Sequence, residues 1–159
     1  MVYLRKRESR EKDHIFGILR GMNYPLIQSV GIVVFDGENV LLVRHGKAAH
    51  HFEGVCGLPS GKVDPGEQTI DTAKRELQEE TGLVCEINDL VPLPKAYQAT
   101  IEQKDGIKIF DWYVFLCKKY SGSLKTSDET EPFWVPVSKL EEMELLPNVL
   151  DAVMKARKM

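Results

Sequence analysis

Glu76, Glu79 and Glu80 stand at positions i, i+3 and i+4 of the run Arg-Glu-Leu-Gln-Glu-Glu-Thr-Gly, residues 75–82. On an α-helix these three carboxylates fall within an arc of roughly 100° and point the same way. Like charges at this spacing destabilise an isolated helix. A fold that keeps them offsets the repulsion with a cation. Clustered hard oxygen donors suit Mg²⁺, with Mn²⁺ able to substitute, better than zinc. A solvated acidic face on an amphipathic helix has the same composition, and charge runs are commonly just that. The surrounding spacing decides between the two. Gly61 and Glu67 precede the run, Asp64-Pro65-Gly66 forms a turn, and Gly82 is placed to cap the helix end.

Taken together, Gly61, Glu67, Arg75, Glu76, Leu77, Glu79, Glu80, Gly82 and Leu83 fill every fixed position of the pattern G-x(5)-E-x(7)-R-E-U-x-E-E-x-G-U, with U aliphatic. That pattern is the signature of the Nudix hydrolases, and the chain resembles that family from about residue 26 to residue 156. The resemblance implies an α/β Nudix fold, a mixed β-sheet between helices in an α/β/α sandwich. It also implies a metal-dependent pyrophosphohydrolase. Water would attack phosphorus in a nucleoside diphosphate linked to another group, or in a nucleoside triphosphate. By the same resemblance Glu76, Glu79 and Glu80 bind Mg²⁺, joined by the backbone carbonyl of Ser60. Glu79, Glu80 or a carboxylate from a later loop takes the proton from water. Ser60 replaces the glycine usual in the family, which would matter only if the backbone there needed a positive φ. Cys56 stands where many members have Trp and reads as a small buried hydrophobe.

Arg75 has its own expected task. A guanidinium can hold a neighbouring carboxylate bidentately and fix its rotamer, which Lys would do poorly. Its plainer reading is an i, i+4 pair with Asp71 or Glu79. Glu67 opens the helix, where negative charge suits the dipole, and is read with Gly61 and Gly82 as mainly structural, a metal role being its alternative. Outside this segment Glu129, with Glu131 second, is the candidate for a further metal-binding or basic carboxylate, and an exposed acidic loop is the equal alternative. Arg44, His45, Lys47, His50 and His51 lie in or beside the preceding loop, where a solvated polar loop is the favoured reading and a phosphate contact the alternative, with Arg44 the choice for it. Among the aromatic residues Tyr97, Phe110, Trp112 and Phe133, which could stack a nucleobase or simply fill the core, Tyr97 is the choice for substrate binding.

The elements that must carry these residues are legible in outline. Two apolar runs, residues 30–35 and 40–43, flank Asp36-Gly37 and read as a hairpin. Residues 84–91 read as a strand. Residues 96–103 and 107–118 pair across Lys104-Asp105-Gly106. The last of these is apolar on both alternating faces, as for a strand covered on both sides. Residues 133–135 read as a strand, and residues 147–158 as a final helix with Pro147 in its first turn. Residues 1–25 form a mixed-charge extension, part-helical by pattern. Arg5, Lys6, Arg7 and Arg10 alternate there with Glu8, Glu11 and Asp13, as on a salt-bridged face. Residues 26–159 form the Nudix domain.

The length of 159 residues suits one domain, and the net charge of −3 argues against nonspecific nucleic-acid binding. Three widely spaced cysteines without a C-x-x-C pair read as reduced thiols in the cytoplasm. No apolar run suggests a membrane span or signal peptide. The expected partner is a nucleotide or nucleotide derivative, and a homodimer stays open. Other readings remain beside the hydrolase: a noncatalytic nucleotide-sensing domain, RNA decapping, and an isomerase on the same scaffold. The carboxylates are all retained, which favours the hydrolase over the sensor.

Overall fold

The computed structural model describes residue 24 and residues 26–46, 54–103 and 106–159, with the side chains of 101–103 left aside. The expected helix in residues 1–25, and the loop candidates Lys47, His50 and His51, lie outside the described residues.

β1 (Leu26–Asp36) organises the sheet. Val30, Ile32, Val33 and Val34 are all fully buried, so both of its faces are covered. The Asp36-Gly37 turn leads to β2 (Asn39–His45), with Gly37 at φ 57° as such a tight hairpin requires. β2 follows β1 only at the turn (Phe35↔Val40) and then parts from it. The widening gap is filled by the head of the Gly61–Leu83 signature (the box) and the residues just ahead of it. β3 (Cys56–Gly57) pairs with β2, and β4 (Ser60–Lys62) pairs with β1 at Gly31↔Ser60, Val30↔Gly61 and Ser29↔Lys62. The start of the box is therefore bolted to the central strand.

α1 (Thr69–Thr81) follows a turn in which Glu67 N–H donates to Asp64 O at 3.0 Å and Gly66 has φ 83°. Proline before a left-handed glycine is the type II pattern. Ala73 and Leu77, one turn apart, bury the apolar stripe of α1. Gly82, at φ 81°, ends the helix with its N–H on Gln78 O.

Residues 84–91 are not one strand. β5 (Leu83–Val84) pairs with β9 (Ser121–Gly122) in a separate two-stranded sheet. A 3₁₀ turn (Ile87–Asp89) intervenes before β6 (Leu90–Pro92). Asn88 and Asp89 favour turns over strands, and they interrupt an otherwise apolar run. β7 (Tyr97–Gln103) and β8 (Gly106–Cys117) pair antiparallel, as the sequence suggests. β8 also runs parallel to β1 from Leu26↔Ile109 to Val34↔Cys117, giving a mixed sheet. β10 (Thr130–Pro136) closes the far edge on β2.

Two apolar clusters flank this sheet. Val30, Ile32, Val34, Leu41 and Phe115 pack against Ala73 and Leu77 of α1. Val33, Leu42, Val114 and Leu116 pack on the other side against Val149, Ala152 and Val153 of α2 (Val149–Ala156). This is the expected α/β/α layering. α2 is shorter than its sequence pattern. Asn148 sits at φ 67°, outside helical space, so Pro147 lies before the helix and not in its first turn.

Candidate active site

Arg75 is the hub of the box. Its Nε and Nη2 grip Glu67 bidentately, each at 3.0 Å, while Nη2 also reaches Lys62 O at 3.4 Å. Its Nη1 donates to Glu76 at 2.7 Å and to Glu79 at 3.2 Å. The rigid guanidinium fork thus ties the turn before α1, β4 and the acidic helix face into one unit. Glu67 is not on the helix at all, because Gln68 is the cap residue. Its carboxyl is held down to about 2, chiefly by the Arg75 N–H groups and then by Thr72.

Glu80 has the opposite environment. Burial pushes its carboxyl up to about 8, opposed by the Ser60 N–H and reinforced by Glu76, Glu129 and Glu79. Ser60 N–H donates to Glu80 Oε2 at 2.8 Å, so β4 aims this carboxylate. Burial also raises the carboxyl of Glu76, against the pull of Arg75. Glu76 lies directly on Gly61, where any Cβ would overlap its carboxylate. That contact is the physical reason for glycine at the head of the box.

Among the described residues, no three His, Cys, Asp or Glu donors converge on one point. Glu76 and Glu79 are turned to Arg75, and Glu80 to Ser60. The donor set nonetheless fits a hard divalent cation. It is all oxygen, and burial, the main cause of the raised Glu76 and Glu80 carboxyls, leaves two carboxylates whose charged forms a bound cation would stabilise. Ser60 meets no backbone objection, because Asn148 is the only non-glycine residue with positive φ among the described residues.

A cavity of about 450 Å³ opens on the other side of β4, lined by Ser60, Gly61 and Lys62, and by Ser29, Phe110, Trp112 and Asn148 among others. Trp112 can lie across the sheet because Gly31 beneath it has no side chain; a Cβ there would overlap the indole. Among the described residues the lining carries Lys62 and Lys108 and no carboxylate. An apolar cavity with a few polar groups is the usual form of a small-molecule site.

The two substrate-binding candidates are not at this cavity. The Tyr97 hydroxyl donates to Asp151 at 2.7 Å, its ring contacts Trp112 at 5.7 Å, and Lys155 stands over its face at 5.2 Å. α2 therefore covers Tyr97 and leaves its neighbour Trp112 to line the cavity. Arg44 pairs with Glu131 at 3.3 Å and stacks over Phe133 at 5.0 Å, so both Arg44 and Glu131 are engaged with each other on the sheet edge. Glu129 is exposed on the loop before β10, and its charge reaches Glu80. Sequence reasoning missed Lys62, Lys108, Asn148 and Thr130. For Asn148 the signal was a Pro-Asn step ahead of an apolar run, since Asn tolerates left-handed backbone better than most residues.

An acidic helix clamped by arginine behind a Gly-rich turn, on a mixed sheet between two helices, defines a class that comparison makes specific. The NUDIX domain model matches residues 25–155, and the chain belongs to that family. It is 28% identical over 102 residues to the 8-oxo-dGDP phosphatase of Homo sapiens, covering 64% of this chain but only 28% of that protein. It is 32% identical over 115 residues to the RNA pyrophosphohydrolase of Bartonella quintana, covering 64% of this chain and 65% of the relative. Its fold is similar to the MutT NUDIX hydrolase of Burkholderia pseudomallei, with TM-score 0.69 and 22% identity over 82% of this chain and 98% of the other. It is also similar to the MutT protein of Methanosarcina mazei, with TM-score 0.65 and 28% identity over 86% of this chain and 96% of the other. Among the described residues no helix is long and apolar enough to cross a membrane.

Proposed function

We propose that this chain hydrolyses a phosphoanhydride in a nucleoside diphosphate linked to another group, or in a nucleoside triphosphate, with Mg²⁺ bound at Glu76, Glu79, Glu80 and the Ser60 carbonyl. One observation carries the reading. The strand Ser60–Lys62 has the partly buried Glu76 and Glu80 carboxylates, both raised by burial, behind it and an aromatic cavity in front of it. A substrate with a planar base on Trp112 and Phe110 would lay its phosphates across β4 toward Glu80. Lys62, at the cavity wall, offers positive charge to those phosphates, and Asn148 offers both donors and an acceptor to a base edge.

A divalent cation supplies the charge neutralisation and Lewis acidity that an anionic phosphoanhydride needs. The chain's own residues do the rest. Arg75 fixes Glu67 and orients Glu76 and Glu79, and the Ser60 N–H fixes Glu80. Water adds its oxygen to one phosphorus as the bridging P–O bond breaks. Glu80 or Glu129 takes the proton from water. Burial pushes the Glu80 carboxyl up to about 8, close to neutrality, the range in which a carboxylate works best as a base.

The three cysteines are free and buried, which fits a reducing compartment, and we place the protein in the cytoplasm. The test is a panel of 8-oxo-dGDP, ADP-ribose, nucleoside triphosphates and 5′-triphosphorylated RNA, incubated with Mg²⁺ or Mn²⁺ and resolved by product chromatography. Monophosphate products that disappear with EDTA are expected. Undiminished turnover in excess EDTA would remove the cation from the mechanism, and no turnover on any member would remove the hydrolase reading.

A further inference from the structure

Thr130 is 5% exposed, one of few buried polar residues, and it sits where the loop carrying Glu129 enters β10. Its hydroxyl donates to Glu80 O at 3.0 Å, a bond from the loop to the last turn of α1 across 50 residues of sequence. A threonine hydroxyl has one proton, and Glu80 O takes it. The contact of 3.1 Å between Ser127 Oγ and Thr130 Oγ1 is therefore donated by Ser127. Ser127 Oγ in turn accepts from Glu129 N–H at 3.3 Å and Thr130 N–H at 3.1 Å. Ser127 N–H closes the turn on Thr130 O at 2.9 Å, and Gly46 N–H holds Glu129 O at 2.9 Å. Gly46 suits that approach because a Cβ there would crowd the carbonyls of Asp128 and Glu129.

Every proton in this chain of hydrogen bonds has one acceptor, and the chain ends on the backbone of Glu80 itself. We propose that Thr130 is a positioning residue: together with Ser127 it latches the loop of Glu129 to the helix turn that carries Glu79 and Glu80. The proposal rests on the reading of Glu129 as a carboxylate of the reaction. The helix end has other ties. Gly82 N–H reaches Gln78 O and Lys125 N–H reaches Thr81 O, each at 2.9 Å. Losing the Thr130 bond should therefore loosen the loop without unravelling α1.

Thr130→Val keeps the shape and removes the donor. Thr130→Ser keeps the donor. With the best substrate of the panel, Thr130→Val should lower kcat roughly tenfold, with KM within about threefold, as for misplacement of a reacting group. Thr130→Ser should recover kcat to within about threefold of the parent. On a Glu129→Gln background the Val substitution should cost less than about twofold, because two residues acting through one group do not add. Full multiplication of the two effects overturns the proposal. So does an unchanged kcat in Thr130→Val measured well below its thermal midpoint.

Amide exchange gives a second readout that needs no turnover. The N–H groups of Gly46, Glu129 and Thr130 should exchange about tenfold faster or more in Thr130→Val, as local opening becomes easier. Unchanged protection there overturns the latch. If the parent protein hydrolyses no substrate, the functional reading fails by itself and the exchange measurement still decides the latch.

Discussion

The two ends of α1 hold glutamates in opposite electrostatic states. Glu67, just before the helix, has its carboxyl drawn down to about 2 by Arg75. Glu80, in the last turn, is pushed up to about 8 by burial and by neighbouring carboxylates. Both belong to one motif, both are partly buried, and both accept N–H hydrogen bonds. What differs is who supplies the positive charge. At the front the chain supplies it, so Glu67 is committed to structure. At the back the described residues supply only the Ser60 backbone N–H, so the charge of Glu80 stays available to a proton or a cation. A row of identical residues has been split into brace and reagent by the placement of one guanidinium.

The largest expected effect separates the two directly. Glu80→Gln should lower kcat by roughly 10²-fold or more, as for loss of a base or metal-binding carboxylate. Because Gln removes a buried charge, its thermal midpoint at pH 8 without metal should not fall. Glu67→Gln should reverse the pattern, lowering the midpoint more than Glu80→Gln and kcat less. Paired kinetics and thermal melts decide it, and a Glu67→Gln enzyme that is stable but the less active of the two breaks the division.

The same asymmetry sets a pH dependence. A carboxyl raised in the fold binds its proton where the unfolded chain has released it, so stability falls as pH rises from about 4.5 to about 8. With EDTA present, ionising Glu80 should cost on the order of 2 kcal/mol across that window, less than the shift alone would give because water and salt screen the site. Glu67 works in the other direction. Its contribution is present above about 4.5 and is lost as pH falls toward about 2. Denaturation of the parent and Glu80→Gln from pH 5 to 8 should give diverging curves, and Mg²⁺ should bring them together. Parallel curves would mean that the Glu80 charge is already compensated.

Between these ends lies Glu76, resting on Gly61 and held by Arg75. Gly61→Ala places a methyl on the Glu76 carboxylate and must move it. An expected loss of about tenfold in kcat follows from displacing a positioned group. Turnover with Mg²⁺ and with Mn²⁺ checks it, and parental activity would show that Glu76 has room to serve from another rotamer.

How far the sequence foretold all this varied with the range of the forces involved. The hairpin at Asp36-Gly37, the turn at Pro65-Gly66 and the Gly82 cap are local, so turn and cap chemistry revealed them. The two-faced apolar pattern of β8 revealed the layering. The break between β5 and β6 was visible in Asn88-Asp89 but was outweighed by the apolar residues around it. Tyr97 and Trp112 are Cα partners on neighbouring strands with touching rings, and no pattern in either strand says which one α2 will cover. Arg44 is claimed by Glu131, and Thr130 finds Glu80. Such pairings join residues far apart in sequence, and the fold alone decides them.

Ser60→Gly should have the smallest effect and gives the finest test of how Glu80 is held. In this structure the Ser60 side chain is not what touches the acidic face. Its N–H holds Glu80 at 2.8 Å, and glycine keeps both that N–H and the carbonyl read as a metal ligand. Nor does the backbone reward glycine, because φ at Ser60 is not positive. Restoring the residue commoner in the family should therefore change kcat/KM by less than about tenfold, or roughly 1.4 kcal/mol of barrier. The looser unfolded chain should lower stability by up to about 1 kcal/mol. Measured on one preparation, a hundredfold fall in kcat/KM with the thermal midpoint intact would give the hydroxyl a direct part in the reaction. A large gain would mean that the side chain had been straining β4 against Glu80. A small change in rate with a small loss of stability leaves the backbone N–H as the element that aims Glu80.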